Sequence, residues 1–413
     1  MTTGLYLSAT SPNSGKSLIA LGLADSLIKR ADRVGFFRPV FDGATIADDP
    51  VARLIREHFN LSEEQVGGAV SMNDALALIA EGDTEEISSR AVSAYEKVAA
   101  NSDVVIVDGA YLPANALAVE FDLNVQIARD LGLPVVAIVG AQEATVEEAV
   151  TAVDVARTEL TASKADLLAV IVNRAEPTLR EDIEKSVKRG EADLPVYVLP
   201  EISELTAPTV GEVAEALKLD TAGVKAEDLS RDIHGIKVAA MTVSNFLGQF
   251  VDGDFVIVPG DRADIVAATL ASALAPSFPA PSGVLLTGGL DDVSGQHTAV
   301  GELIKNAPFP VLSTEHDTFK SARAVSRVHG SLESGHQRKL AAALGGWDEH
   351  VNKDELLSRL SIERPASMTP LRFLHNLIET ARANRRSVVL PEGYDVRILR
   401  AAEIIARRDF CDL

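Results

Sequence analysis

The chain has 413 residues, a hydrophobic fraction of 46%, a formal charge of -21 and one cysteine, which predicts a globular protein of two or three domains with ample surface to bury. The acidic excess excludes a broad basic surface for a nucleic-acid backbone, so a small anionic ligand needs a local pocket. The N-terminus has no signal-peptide pattern, no apolar run reaches the roughly 18 residues of a membrane span, and Cys411 alone forms no intramolecular disulfide, so the sequence reads as cytoplasmic with no membrane partner.

The first element is the apolar run Leu5 to Ala9, a strand that leads through Thr10-Ser-Pro-Asn-Ser-Gly-Lys-Ser17 into a helical run from Leu18 to Ile28. Strand, small-residue loop and helix N-terminus together make a phosphate cradle: backbone N–H groups converge, Lys16 adds a charge, and the Ser17 hydroxyl suits a magnesium ion. Asn13, Ser14, Gly15, Lys16 and Ser17 are therefore candidate nucleotide-binding residues. The loop departs from G-x-x-x-x-G-K-[ST] at Thr10, where glycine is expected. A strand-helix turn that kept its shape without a ligand is the alternative.

Further apolar, β-branched runs follow at Gly35–Val40, Asp103–Gly109, Pro134–Gly140, Leu167–Asn173 and Leu194–Leu199, separated by helical patterns. Continuous hydrophobicity is what strands buried on both faces show, so an α/β domain with a mostly parallel sheet is predicted over residues 1–218. Ligands of such sheets sit at the carboxyl ends of the strands, which here carry Ser14 to Ser17, Arg38, Asp108, Gln142 and Asn173. Asp108 either joins Ser17 in holding magnesium or closes its strand in an Asp-Gly turn. Asn173, followed by Arg174, either reads a purine edge or satisfies backbone at a strand end.

A polar linker is expected over 219–235, then a second, smaller α/β unit over 236–345 whose strands begin at Lys237, Phe255, Gly283 and Pro310. Gly260-Asp-Arg262 and Thr287-Gly-Gly289 stand at two strand exits. Asp261 is a candidate cap for a helix starting near Arg262, and Gly288-Gly289 offers N–H groups to an anion or simply makes a tight exit. His297, His316, His329, His336 and His350 lack the spacing of a metal site.

A connection over 346–367, marked by Gly345-Gly346 and prolines 365 and 370, contains a short helical pattern near Lys353–Leu360. It leads to a last segment over 368–413, with a helix capped by Thr369, a strand at Ser387–Leu390 and a helix over Asp395–Arg408. That segment carries eight arginines against six acidic residues, which suit either anionic ligands or helix C-termini.

Ser8–Ser17, Phe37–Val40, Val107–Gly109, Val172–Arg174 and Leu199–Val210 together resemble the N-terminal domain of long bacterial phosphate acetyltransferases. That domain is similar in turn to dethiobiotin synthetase, an ATP-dependent P-loop enzyme with lysine where this chain has Arg38. Gly260–Arg262 with Thr287–Gly289 resembles the DRTGG domain of the same family, and Thr369-Pro370 with Val389–Gly393 resembles the opening of its catalytic domain. The resemblance implies a regulatory P-loop domain, a DRTGG domain and a βα stub of a catalytic domain whose acyl-transfer residues and coenzyme A groove lie beyond residue 413. It also implies small-molecule ligands, ATP or NADH with magnesium in the first domain, and a homo-oligomer. A stand-alone ligase of the synthetase type and a structural assembly scaffold are the other functions open to this sequence.

Overall fold

A computed structural model describes residues 3–11, 13–113, 116–188, 194–289, 299–328, 330–332, 335–361 and 369–413. Among positions singled out in the sequence, Leu290, His297, His329, Pro365 and Met368 lie outside the described residues. The chain divides into two compact units, one formed by Met1–Glu201 with Ala343–Leu413, the other by Ile202–Ala342.

In the first unit, strands β1 (Thr3–Ala9), β2 (Val34–Phe41), β3 (Val66–Ser71), β4 (Val104–Asp108), β5 (Val135–Gly140), β6 (Leu167–Ala175) and β7 (Val196–Pro200) form one sheet ordered β3-β2-β4-β1-β5-β6-β7. Every adjacent pair is parallel. Helices α1 (Lys16–Ile28), α2 (Pro50–Phe59), α3 (Met72–Glu81), α4 (Thr84–Ala100), α5 (Leu117–Leu131), α6 (Val146–Ala162) and α7 (Arg180–Val187) make the connections. All eight residues of β2 and all five of β4 are buried, as expected of parallel strands covered on both faces. The chain leaves β1 toward β2 and later crosses from β4 to β5, so β1 lies between the two directions of winding and its loop opens where such sheets bind ligands.

The sequence predicted six of these strands; β3 was not among them. Its Val-Gly-Gly-Ala-Val-Ser run has two glycines, which lower strand propensity, and it pairs only with β2 at the sheet edge.

The later part of the chain supplies this unit with the end of the helix Gln337–His350, from Ala343 on, and with the helices Lys353–Ser361, Pro370–Ala383 and Val396–Arg408. The helix Gln337–His350 runs through Gly345 and Gly346, and the division between the two units falls within it, after Ala342. What holds this stretch is Trp347, fully buried, with its indole N–H donating to Ser26 Oγ at 2.9 Å and its ring lying where a Cβ on Gly22 of α1 would be. The helix Pro370–Ala383 starts as predicted, with Thr369 accepting from the Arg372 N–H and proline in the first turn. It docks through Arg372, whose Nε lies 2.8 Å from Glu96 Oε1 on α4, and through Thr369, which donates to the Asp130 carbonyl on α5. The predicted strand at Ser387–Leu390 is reduced to one bridge, Ser387 with Asp412.

In the second unit a four-stranded parallel sheet, ordered β11-β10-β9-β8, is built from β8 (Gly235–Val238), β9 (Asp254–Pro259), β10 (Gly283–Thr287) and β11 (Val311–Thr314). Successive side chains of β9 serve opposite cores: Val256 and Val258 pack with Phe246 and Ile265 on one face, Phe255 and Ile257 with Val213 and Val325 on the other. The period of two along a strand, with apolar neighbours on both faces, is the physical content of the continuous hydrophobic run.

Candidate functional site

The loop after β1 reaches α1 through two residues in the left-handed region, Asn13 with φ 57 and Gly15 with φ 74. Gly15 is required twice over, because a Cβ there would also run into the Asn173 amide. Among the described residues no side chain caps α1, and its first turn has no acidic residue, whereas α2, α6 and the helix Val210–Leu217 are capped by Asp49, Thr145 and Thr209. The first N–H groups of a helix have no partner within it, so this terminus retains its capacity for an anion.

Behind the loop stands the end of β6. Asn173, 1% exposed, donates from Nδ2 to the Ser14 carbonyl at 2.8 Å and the Gly15 carbonyl at 3.4 Å. Arg174, itself at φ 65, donates to the Asn13 carbonyl at 2.6 Å and is held by Glu201 at 2.8 and 3.1 Å. The amide's donor end thus supports the loop backbone rather than reading a ligand edge. Among the described residues its buried Oδ1 has no hydrogen-bond partner.

Beneath the loop is a buried chain of charges. Lys16 Nζ lies 3.0 Å from Asp108 Oδ1, with side-chain exposures of 12% and 1%, and it donates to the Gly109 carbonyl. Arg38 Nε lies 3.4 Å from Asp108 Oδ2, and Arg38 grips both oxygens of Asp49 at 2.8 and 2.7 Å. Asp49 also accepts from the N–H groups of Asp42, Val51 and Ala52. Burial pushes the Lys16 ammonium below the ordinary lysine value, against the pull of Asp108. For Arg38 burial acts in the same downward sense, but Asp108 and Asp49 outweigh it and the guanidinium is held above the ordinary arginine value.

The structure therefore brings Asn13, Ser14, Gly15, Lys16, Asp108 and Asn173 together, with Ser17 on the first turn of α1. Gln142 is exposed in the turn after β5 and contributes nothing to the cluster. Asp49, Arg174 and Glu201 were missed as members. Asp49-Pro50 carried the signal of a helix start, but its pairing with Arg38 is a tertiary fact.

Among the described residues no group of three or more His, Cys, Asp or Glu side chains is arranged to hold a metal ion. Magnesium at a phosphate loop needs no such cage, since one or two protein oxygens and the phosphates share it with water. The Ser17 hydroxyl fits that role. Asp108 fits it less directly, being already neutralised by Lys16 and Arg38.

The two strand exits of the second unit are bound to their own backbone. Gly260 N–H donates to the Thr287 carbonyl, Gly288 N–H to His316 and Gly289 N–H to Thr314, so the glycine N–H groups are not turned to an anion. Asp261 does not cap the following helix, which starts at Ala263 after Arg262 with no side-chain cap. Arg262 instead pairs with Asp264 at 2.8 Å and donates to the Met241 carbonyl. Among the described residues no helix is long and apolar enough to cross a membrane.

Residues 3–213 match the AAA domain family and residues 212–328 the DRTGG domain family. The phosphate acetyltransferase of Nitratidesulfovibrio vulgaris is 35% identical over an alignment covering 100% of this chain and 59% of that protein. The phosphate acetyltransferase of Synechocystis is 28% identical over 97% of this chain and 58% of its own length. This chain thus spans less than two thirds of either relative. Among solved structures, cobyrinic acid a,c-diamide synthase from Mycobacterium smegmatis, with bound ATP analog and magnesium, is similar to 48% of this chain and 84% of its own, at 17% identity and a TM-score of 0.32.

Proposed function

The chain belongs to the AAA domain family, and we propose that it is the N-terminal region of a phosphate acetyltransferase, with its first unit serving as a nucleotide-responsive regulatory domain. The relatives that align over the whole chain carry that enzyme's name. The parent activity would interconvert acetyl-CoA and phosphate with acetyl phosphate and coenzyme A, and the acyl transfer with its coenzyme A groove is assigned to the part of the relatives outside the match. A cytoplasmic homo-oligomer taking small-molecule ligands completes the proposal.

The observation that carries the regulatory reading is the uncapped start of α1 beneath a loop whose backbone is held open by Asn173 and Arg174. Magnesium-ATP is the proposed ligand. Its phosphates would take N–H groups at the start of α1, and Ser17 would share the magnesium, whose charge offsets that of the phosphates. Lys16 would exchange Asp108 for phosphate, an exchange that leaves Asp108 compensated by Arg38. Arg38 is thus assigned the task of keeping a buried carboxylate paired whichever way the lysine points.

The test is the rate of acetyl phosphate formation by the full-length protein across a magnesium-ATP and an NADH titration. A nucleotide response that Lys16→Ala removes supports the proposal; a response of equal size in the variant refutes it. One observation favours a second reading: Lys16 is already satisfied by Asp108 and the Gly109 carbonyl, as it would be in a loop retained only for assembly. No response to either nucleotide, with the oligomer intact, would select that reading.

A further inference from the structure

A cavity of about 320 Å3 opens on the β2–β3 side of the first unit, and none of its lining residues belongs to the phosphate loop. Arg53 and Arg56 of α2 form one wall, Thr45 and Ile46 of the turn after β2 another, and Glu63 with Val66, the first residue of β3, closes it. The volume lies at the lower end of the range of about 300–1,000 Å3 typical of small-molecule sites.

Arg53 and Arg56 are three residues apart on α2 and so share a helix face, yet among the described residues neither guanidinium has an ion-pair partner, while Arg30, Arg33, Arg38, Arg90 and Arg174 all have one. The Arg53 charge acts on the Asp48 carboxylate. That carboxylate is already taken by the Thr45 N–H at 2.8 Å and the Thr45 hydroxyl at 2.9 Å. Two planar donor forks on one wall match carboxylate or phosphate oxygens. Ile46 and Val66 supply apolar contact, and Glu63 can accept from a hydroxyl or amine.

We propose that this cavity binds a small organic oxyanion, with Arg53 and Arg56 holding its carboxylate or phosphate. The site is independent of the phosphate loop and does not rest on the nucleotide reading. Arg53 is exposed and Arg56 half-buried, so glutamine at either position preserves the packing of Ala52, Leu54 and Ile55, which form the buried face of α2.

The experiment is calorimetric titration of the intact chain with citrate and, separately, with inorganic phosphate, in the wild type, in Arg53→Gln/Arg56→Gln and in Lys16→Ala. Saturable binding that weakens at least tenfold in the double variant and persists in Lys16→Ala is expected, and the tighter probe tells carboxylate from phosphate. The proposal is overturned if neither probe saturates, which leaves two solvated arginines. It is equally overturned if the double variant binds as the wild type does, or if only Lys16→Ala loses phosphate, which would return the anion to the loop. Should the double variant fail to fold, Arg53→Gln alone is judged by the same criterion.

Discussion

Replacing Arg38 by methionine removes the middle of the buried charge chain while keeping an unbranched side chain of similar reach. Arg38 is 4% exposed, and its two partners, Asp49 and Asp108, are 0% and 1% exposed, so solvent screens little of what is lost. Breaking a buried pair by removing one partner destabilises by about 3–5 kcal/mol. The lower end applies here, because Asp49 keeps three backbone donors and Asp108 keeps Lys16. The expected loss is therefore about 3 kcal/mol, roughly a hundredfold in the folding equilibrium, since about 1.4 kcal/mol corresponds to tenfold. Trp347 is the one tryptophan in the sequence, and it is buried against α1, so its fluorescence during urea unfolding follows this unit. Arg38→Lys, which keeps a charge but not the fork that grips Asp49, should lose less. A midpoint for Arg38→Met corresponding to under about 1 kcal/mol would refute the view that the chain of charges is mutually dependent.

In Gly22→Ala the usual gain of about 1 kcal/mol for alanine in a helix should reverse, because a methyl there meets the Trp347 ring, with Cε3 only 2.7 Å away. A net loss of about 1–2 kcal/mol by far-UV circular dichroism is expected, largely relieved when Trp347→Ala is added; a stabilised single variant would contradict the packing. Asn173→Ala removes the donor that holds the Ser14 and Gly15 carbonyls and should destabilise the unit by about 1–2 kcal/mol and weaken nucleotide binding; unchanged melting and affinity would show that the amide does not support the loop. Burial sets Lys16 below its ordinary value of 10.5, so between the folded and unfolded values the unfolded chain binds more protons and stability rises with pH up to 10.5. Lys16→Met should flatten that alkaline slope, and an identical slope in both proteins would contradict the assignment.

The parallel sheets were legible because a strand covered on both faces has no polar side to show, and β2, β4, β5 and β9 are of this kind. The edge strand β3 was hidden by its paired glycines. Gly345-Gly346 read as a break because helix propensity counts against glycine, while the anchor that overrides it, Trp347 on Gly22, lies more than 300 residues away in sequence. The same limit holds at the site. The phosphate loop is local, so its strand, glycine and lysine appear in order along the chain. The inward turn of Lys16 onto Asp108, the grip of Arg38 on Asp49 and the support of the loop by Arg174 join four strands, and no local pattern encodes them. Gly288-Gly289 left two readings open, and the carbonyls of Thr314 and His316 decide for the structural one.

Whether the start of α1 works as a phosphate site is measured most directly by calorimetric titration of this chain with magnesium-ATP, with NADH alongside and Lys16→Ala as the comparison. Saturable binding of magnesium-ATP that Lys16→Ala abolishes is the predicted result. Heat from neither nucleotide, or binding that survives loss of the lysine, would contradict it.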